Sequence, residues 1–293
     1  MYSIIGILIV FGAVAGGYVL EKGNLLVLLQ PAELLIIGGA AVGTVLIANP
    51  LHVLTAIAHG VGKAFKGSDF TSKRYLDSMK MLHDLFNQAR RGGLPAIEQD
   101  IEDPRNSKIF SNFPTVVKDL HVRGFICDTL RMATTGAADP FDIDQMMELD
   151  LESRRRETGQ PVAALSTMAD SLPGLGIVAA VLGVVITMGA MGGAPEEIGH
   201  KVAAALVGTF LGILLCYGLV GPVATKMSHE AEEEREYYHV LRVALTAFIK
   251  GMPPILAVET ARRAIPGRLR PSFRSLEAVC RGKESAVPAQ NAA

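Results

Sequence analysis

The 293-residue sequence lacks most of what enzymes and secreted domains are built from. Its three cysteines, Cys127, Cys216 and Cys280, have neither zinc-ligand spacing nor a pairing pattern. That excludes a disulfide framework and points to reduced, structural thiols. Net charge is −1, so no basic surface for nucleic acid is implied. No catalytic constellation emerges. The carboxylates and histidines of residues 63–165 are spread along helical faces, His229 and His239 have no ligand partners, and no metal or cofactor site is implied. No internal repeat is evident. Most informative of all, long stretches lack charge altogether.

Hydrophobic residues make up 49% of the chain and the mean hydropathy is +0.32, too apolar for an ordinary soluble domain and too charged for one wholly in a membrane. Charge-free runs at 1–20, 34–62, 172–191 and 202–225 account for the compromise. A helix rises about 1.5 Å per residue, so each run can cross a hydrocarbon core of about 30 Å. Runs this long read as helices rather than barrel strands, because every backbone polar group must be paired in lipid. The expected fold is an all-α integral membrane protein with four transmembrane helices, a large helical cytoplasmic loop and a cytoplasmic C-terminal helical segment. Run 1–20 carries a signal-peptide-like Ala13-Val14-Ala15, but no basic residue precedes it and apolar residues continue to Leu20. Tyr2 and Tyr18 stand near its ends, as interfacial aromatics do, so it reads as a retained first span.

Of 28 Lys and Arg residues, 15 lie in 57–165 and 11 in 226–293. Near the spans, Lys63 and Lys66 follow run two, Arg154-Arg155-Arg156 precede run three and Lys226 follows run four. The positive-inside rule places these groups in the cytoplasm, with both termini cytoplasmic and two short loops outside. The expected divisions are 1–62 (spans one and two), 63–165 (cytoplasmic helical domain), 166–227 (spans three and four) and 228–293 (cytoplasmic helix and tail). Within 63–165, Tyr75, Met79, Leu82 and Phe86 form one helical stripe that Gly92-Gly93 should end. Asp139-Pro140 reads as an N-cap followed by proline at the first helical position. The helix that follows should lead towards span three, and the stretch after span four should extend it to Gly251. Residues 282–293 have no periodicity and are expected to be disordered.

An ion pathway needs an ionisable or strongly polar group at membrane depth. Spans three and four contain only Thr187, Thr209 and Tyr217, with Asp170 at the cytoplasmic edge. What they do contain is small residues at close-packing positions. Gly176, Ala179 and Gly183 lie in span three and Gly208 and Gly212 in span four, while Gly39 and Gly43 repeat the four-residue spacing in span two. Such a stripe serves either packing among the chain's own helices or a partner surface. Pro173 cannot donate to the Ala169 carbonyl, nor Pro222 to that of Gly218, so each should bend its helix at the same membrane depth. Two prolines placed this way make a mechanical hinge.

The stretches DSLPGLGIVAAVLGVVI and ALVGTFLGILLCYGLVGPVA resemble the third and fourth spans of the MotA family of flagellar stator subunits, within the MotA/TolQ/ExbB proton channels. RRGGLPAIEQDIEDP, FICDTLR, PPILAVETARR and RPSFRSLE extend the resemblance to nearly the whole chain. It implies a ring of such subunits, a pentamer, around paired helices of MotB, whose aspartate takes up the ion. It also implies that 63–165 is the rotor-contacting domain and 166–227 the channel wall in the bacterial inner membrane. Arg90 and Glu98 match the positions that engage the rotor protein FliG, with Arg91 an alternative to Arg90. Pro173 and Pro222 match coupling prolines, and Thr209 and Tyr217 match polar positions near the ion path. Ala180 stands where sodium-driven relatives carry threonine, so the resemblance implies the proton as coupling ion, sodium being the alternative. The competing readings are an ExbB/TolQ-like energiser of outer-membrane processes, which the two spans before the loop argue against, and a purely structural scaffold.

Overall fold

The computed structural model describes residues 2–136, 138–189, 192 and 194–282, so the expected disorder of the tail falls, beyond Gly282, outside the described residues. The described residues are helical, without strands. Helix α1 spans Tyr2–Leu20, α2 Pro31–Ala48, α3 Leu51–Ala64, α4 Ser72–Gly92 and α5 Leu120–Thr134. Helix α6 runs from Pro140 to Met188, α7 covers Pro195–Leu215, and a π-helical turn, Cys216–Val220, leads into α8, Gly221–Ile249. Helices α9 (Pro254–Ala264) and α10 (Phe273–Cys280) follow. Among the described residues, four helical stretches are long and apolar enough to cross a membrane: Tyr2–Leu20, Leu25–Ala48, Pro140–Met188 and Pro195–Ile249. The expected all-α, four-span architecture is the one found.

The chain divides into two compact units, one of residues 1–67 and 156–231, the other of 68–155 and 232–293. Helices α6 and α8 contribute to both, so these divisions lie beyond the charge-free runs, inside continuous helices.

The membrane unit has little buried core, as expected where lipid is as apolar as leucine and burial gives helices no drive to associate. Helix α1 has no buried residue. One small cluster gathers Ile37, Ala41, Ala169, Leu172, Ala179 and Cys216, and another gathers Ala64, Leu165, Val223, Ala224 and Met227. In α2, Gly39 and Gly43 do not take part in close packing among the described residues. A Cβ on Gly43 would meet nothing within 4 Å, and one on Gly39 would meet only Leu35 Cδ1 at 4.0 Å.

The second unit is built around α4. Thr71 caps it by accepting from the Arg74 N–H, and Tyr75, Met79, Leu82 and Phe86 are fully buried along one face. The helix ends at Gly92, and Gly93 takes φ +80°, a conformation that favours glycine. Helix α8 supplies the opposing rings. Phe248 stacks on Phe86 with centroids 4.1 Å apart, and Tyr237 meets Tyr75 edge-on at 5.3 Å. The Tyr237 hydroxyl shares a 2.6 Å hydrogen bond with Ser78. Asp139 caps α6 by accepting from the Phe141 N–H at 2.8 Å, as its position before Pro140 predicts. All three cysteines are buried and unpaired, and burial pushes the Cys127 and Cys280 thiols up to about 12, which keeps them protonated and unreactive.

Candidate functional site

In the membrane unit, α6 and α7 approach almost backbone to backbone. A Cβ built on Gly176 would lie 2.8 Å from the Gly208 carbonyl oxygen and 3.1 Å from Gly212 Cα. One on Gly212 would lie 2.6 Å from the Leu172 carbonyl oxygen, and one on Gly183 2.7 Å from Ala205 Cβ. Real side chains do not approach so closely, so each glycine is required by its neighbour across the seam. Ala179 is fully buried and meets Gly208. Residues Gly176, Ala179, Gly183, Gly208 and Gly212 thus form one seam between spans three and four of the same chain. Thr209 flanks it half-buried, its Cα 3.4 Å from the position of a Gly176 Cβ, and Ala180 borders it at Gly208. Further along, Thr187 is buried and donates to the Gly183 carbonyl at 2.8 Å.

Only Pro173 stands at the seam's end; Pro222 is followed by Val223 and Ala224, which cluster with Leu165 of α6, so the two prolines do not share the one depth expected of them. Pro173 follows Leu172, whose carbonyl faces Gly212, and α6 stays helical through both Pro173 and Pro161. Sequence reasoning did not single out Pro161. At Pro222 the backbone changes register. The Gly221 N–H donates to the Cys216 carbonyl, five residues back, in the π turn Cys216–Val220. A residue without an N–H ahead makes such a shift understandable, since the ladder must be rearranged around the missing donor. A Cβ on Gly221 would lie 2.8 Å from that same Cys216 oxygen, so glycine is needed there. Pro222 is exposed, and so is Tyr217, at 74%. The structure therefore does not bring Tyr217 into the seam.

Sequence reasoning missed Glu33. It stands one position before the charge-free run 34–62, yet α2 starts at Pro31 and includes it. Glu33 is 7% exposed, and its Oε2 has no hydrogen-bond partner. A Cβ on Gly208 would lie 2.7 Å from that oxygen, 3.1 Å from Ala179 Cβ and 3.3 Å from the Ala180 nitrogen. The carboxyl is thus packed on the back of the seam at its smallest residue. A lone carboxylate just after Pro31 was the available signal.

In the second unit, Arg90 is exposed on the last turn of α4 and Glu98 is exposed at the start of the short helix Glu98–Glu102, on the other side of Gly93. Neither makes an ion pair among the described residues, and Arg91 is exposed beside Arg90. Charges nearby are engaged. Gln88 donates to Asp100 at 2.8 Å, and Arg131 to Glu102 at 2.5 Å. No group of histidines, cysteines and carboxylates among the described residues could hold a metal ion.

Comparison with known proteins agrees with this architecture. Residues 4–93 match the model of the motility protein A N-terminal domain, and residues 118–239 that of the MotA/TolQ/ExbB proton channel family. Motility protein A of Salmonella typhimurium and that of Escherichia coli are each 37% identical over 277 residues, 94% of either chain. Among solved structures, a chain of the flagellar MotAB stator complex from Bacillus subtilis superposes with a TM-score of 0.73 at 26% identity. That match covers 91% of this chain and 96% of the other.

Proposed function

The chain belongs to the motility protein A family of the MotA/TolQ/ExbB proton channels, and we propose that it is the ring-forming subunit of a proton-driven flagellar stator. In this reading several copies, five by family resemblance, surround the paired helices of a MotB-type partner in the bacterial inner membrane. Both termini and the 63–165 segment lie in the cytoplasm, where the basic residues flanking the spans favour them.

The observation that carries the reading is the seam. Stretches 172–189 and 202–225 hold no charged residue, yet their helices are packed as tightly as a backbone allows. Such a surface suits the wall of an ion path whose titrating carboxylate comes from another chain. One charge moved through 100 mV corresponds to about 2.3 kcal/mol, enough to bias a mechanical step but not to break a packed core. Pro173, and Pro222 with the π turn beside it, are the soft elements that such a force could move. Thr209 and Ala180 border the path, Ala180 fitting a proton rather than sodium, and Tyr217 is available to a neighbouring chain. Arg90 and Glu98, exposed and unpaired, offer one charge of each sign to FliG. Exposed pairs contribute roughly 1 kcal/mol or less, so that contact steers and releases.

The match over residues 4–93 favours the stator over an ExbB/TolQ-like energiser. The test is swimming of a host lacking its own motility protein A, supplied with this chain and its partner. Speed should persist without sodium and collapse with a protonophore. Speed that follows sodium refutes the proton, and failure to restore swimming refutes the stator.

A further inference from the structure

A buried carboxyl with an unpartnered oxygen is costly if ionised at membrane depth. Glu33 is in that position, and its surroundings offer no counter-ion among the described residues. Stretches 171–189 and 202–225 hold no Asp, Glu, Lys, Arg or His, and their titratable side chains are Cys216, buried in the π turn, and the exposed Tyr217. Towards the start of α7, Lys201 is paired with Glu197 at 2.9 Å, while Glu196 and His200 are exposed. Before α2, Glu21 and Lys22 are exposed, and neither α1 nor the turn Leu25–Leu28 carries a charged side chain. What faces the orphaned oxygen is Gly208, with Ala179 and Ala180 beside it. Gly208 and Ala179 belong to the seam proposed above as the wall of the ion path, and Ala180 borders it.

We propose that Glu33 is an exchangeable protonation site of this chain, taking a proton from the ion path and returning it as α2 settles on and lifts from Gly208. The inference rests on the proton-driven reading. The exchange balances simply. A carboxylate gains one proton, its charge goes from −1 to zero, and the O–H so formed can donate to a nearby backbone carbonyl. Release leaves a charge that the glycine–alanine surface cannot pair, so close packing at Gly208 and the neutral form go together. The chain itself would then contribute one titrating group behind a wall whose main carboxylate is the partner's. The site is specific in size as well as in charge, because Gly208 leaves room for a carboxyl and nothing larger than hydrogen on its own Cα.

The test uses the full complex with its partner and compares wild type with Glu33→Gln and Glu33→Asp. Readouts are the amount assembled, motor speed at low load against external pH, and the infrared carbonyl band of a protonated carboxyl with its shift in D2O. Glu33→Gln, a neutral isostere, should assemble at the wild-type level. Its speed should fall roughly tenfold or more, as when a proton-transfer group is removed. The wild-type carboxyl band should be missing from it. Glu33→Asp should keep part of the speed, with a displaced pH profile. Wild-type speed and pH profile in Glu33→Gln would overturn the assignment and leave Glu33 a neutral filler. If Glu33→Gln does not accumulate, an unchanged pH profile in Glu33→Asp, or a wild-type spectrum without the exchangeable band, overturns it equally. A wild-type motor that runs on sodium overturns the proton reading and this assignment with it. Proton drive with an unaffected Glu33→Gln overturns this assignment alone.

Discussion

Spans three and four meet through glycine, whereas the unit of residues 68–155 and 232–293 meets through rings. Gly176, Gly208 and Gly212 leave no room for a methyl group, while Phe86, Phe248, Tyr75 and Tyr237 fill a conventional core. The difference follows from the solvent. In water, burying large apolar side chains drives association, at about 25 cal/mol per Å² removed. In lipid that drive vanishes, and close backbone approach takes its place. A wall held this way can shift by small steps without exposing a core to water, which suits an element that must move. The aromatic unit, with its large rings packed against one another, resists deformation.

That contrast can be broken at several points, in decreasing order of effect. Phe86→Ala removes a stacked, fully buried ring and should cost about 3–5 kcal/mol, read as loss of folded protein in thermal or denaturant unfolding. Gly212→Ala places a methyl 2.6 Å from the Leu172 carbonyl. Overpacking of about 1–3 kcal/mol should lower assembled complex and motility together. Gly221→Ala should act similarly through the Cys216 carbonyl at 2.8 Å, read as less assembled complex and lower motility.

Asp144 sharpens the comparison by pH. Hydrogen bonds from Arg242 (2.8 Å) and then Thr246 (2.9 Å) outweigh burial and hold its carboxyl below the usual carboxylate range. A depressed carboxylate stabilises the folded form above its unfolded value near pH 4 and loses that contribution as pH falls through the folded one. Asp144→Asn should therefore cost about 1–2 kcal/mol at pH 7 and progressively less as the pH falls below about 4, measured by denaturant unfolding. The smallest effect on stability belongs to Arg90→Glu and Glu98→Lys, within about 0.5 kcal/mol since both are exposed. Their effect on swimming under viscous load should nonetheless be clear, and unimpaired swimming in both would remove them from the rotor contact. Pro173→Ala should likewise leave assembly intact and impair motility, and normal swimming would remove the hinge.

Local patterns made much of this architecture legible in the sequence. The 3.6-residue stripe Tyr75–Phe86, the Asp139 cap and the Gly93 stop each depend on neighbours a few residues away. So do the four spans, because a charge-free run needs no partner to be recognised. The small residues of the seam were visible, but not which surface they served. Their spacing in α2 is the same, yet a Cβ on Gly39 or Gly43 would meet no other helix within 4 Å among the described residues. Glu33 was hidden because a carboxylate beside Pro31 reads as a helix start, and its burial is fixed by Gly208, far away in sequence. The π turn was equally hidden. Pro222 announces a missing donor, but whether the ladder bends or shifts register depends on what Gly218 and Gly221 permit in three dimensions.

The central claim is that this chain supplies a wall and not a complete channel. The direct measurement is proton flux into liposomes, with the purified chain alone and with the chain joined to its membrane partner. Flux only in the joined complex, abolished when the partner's membrane carboxylate is neutralised, is the expected result. Comparable flux through the chain alone would contradict it.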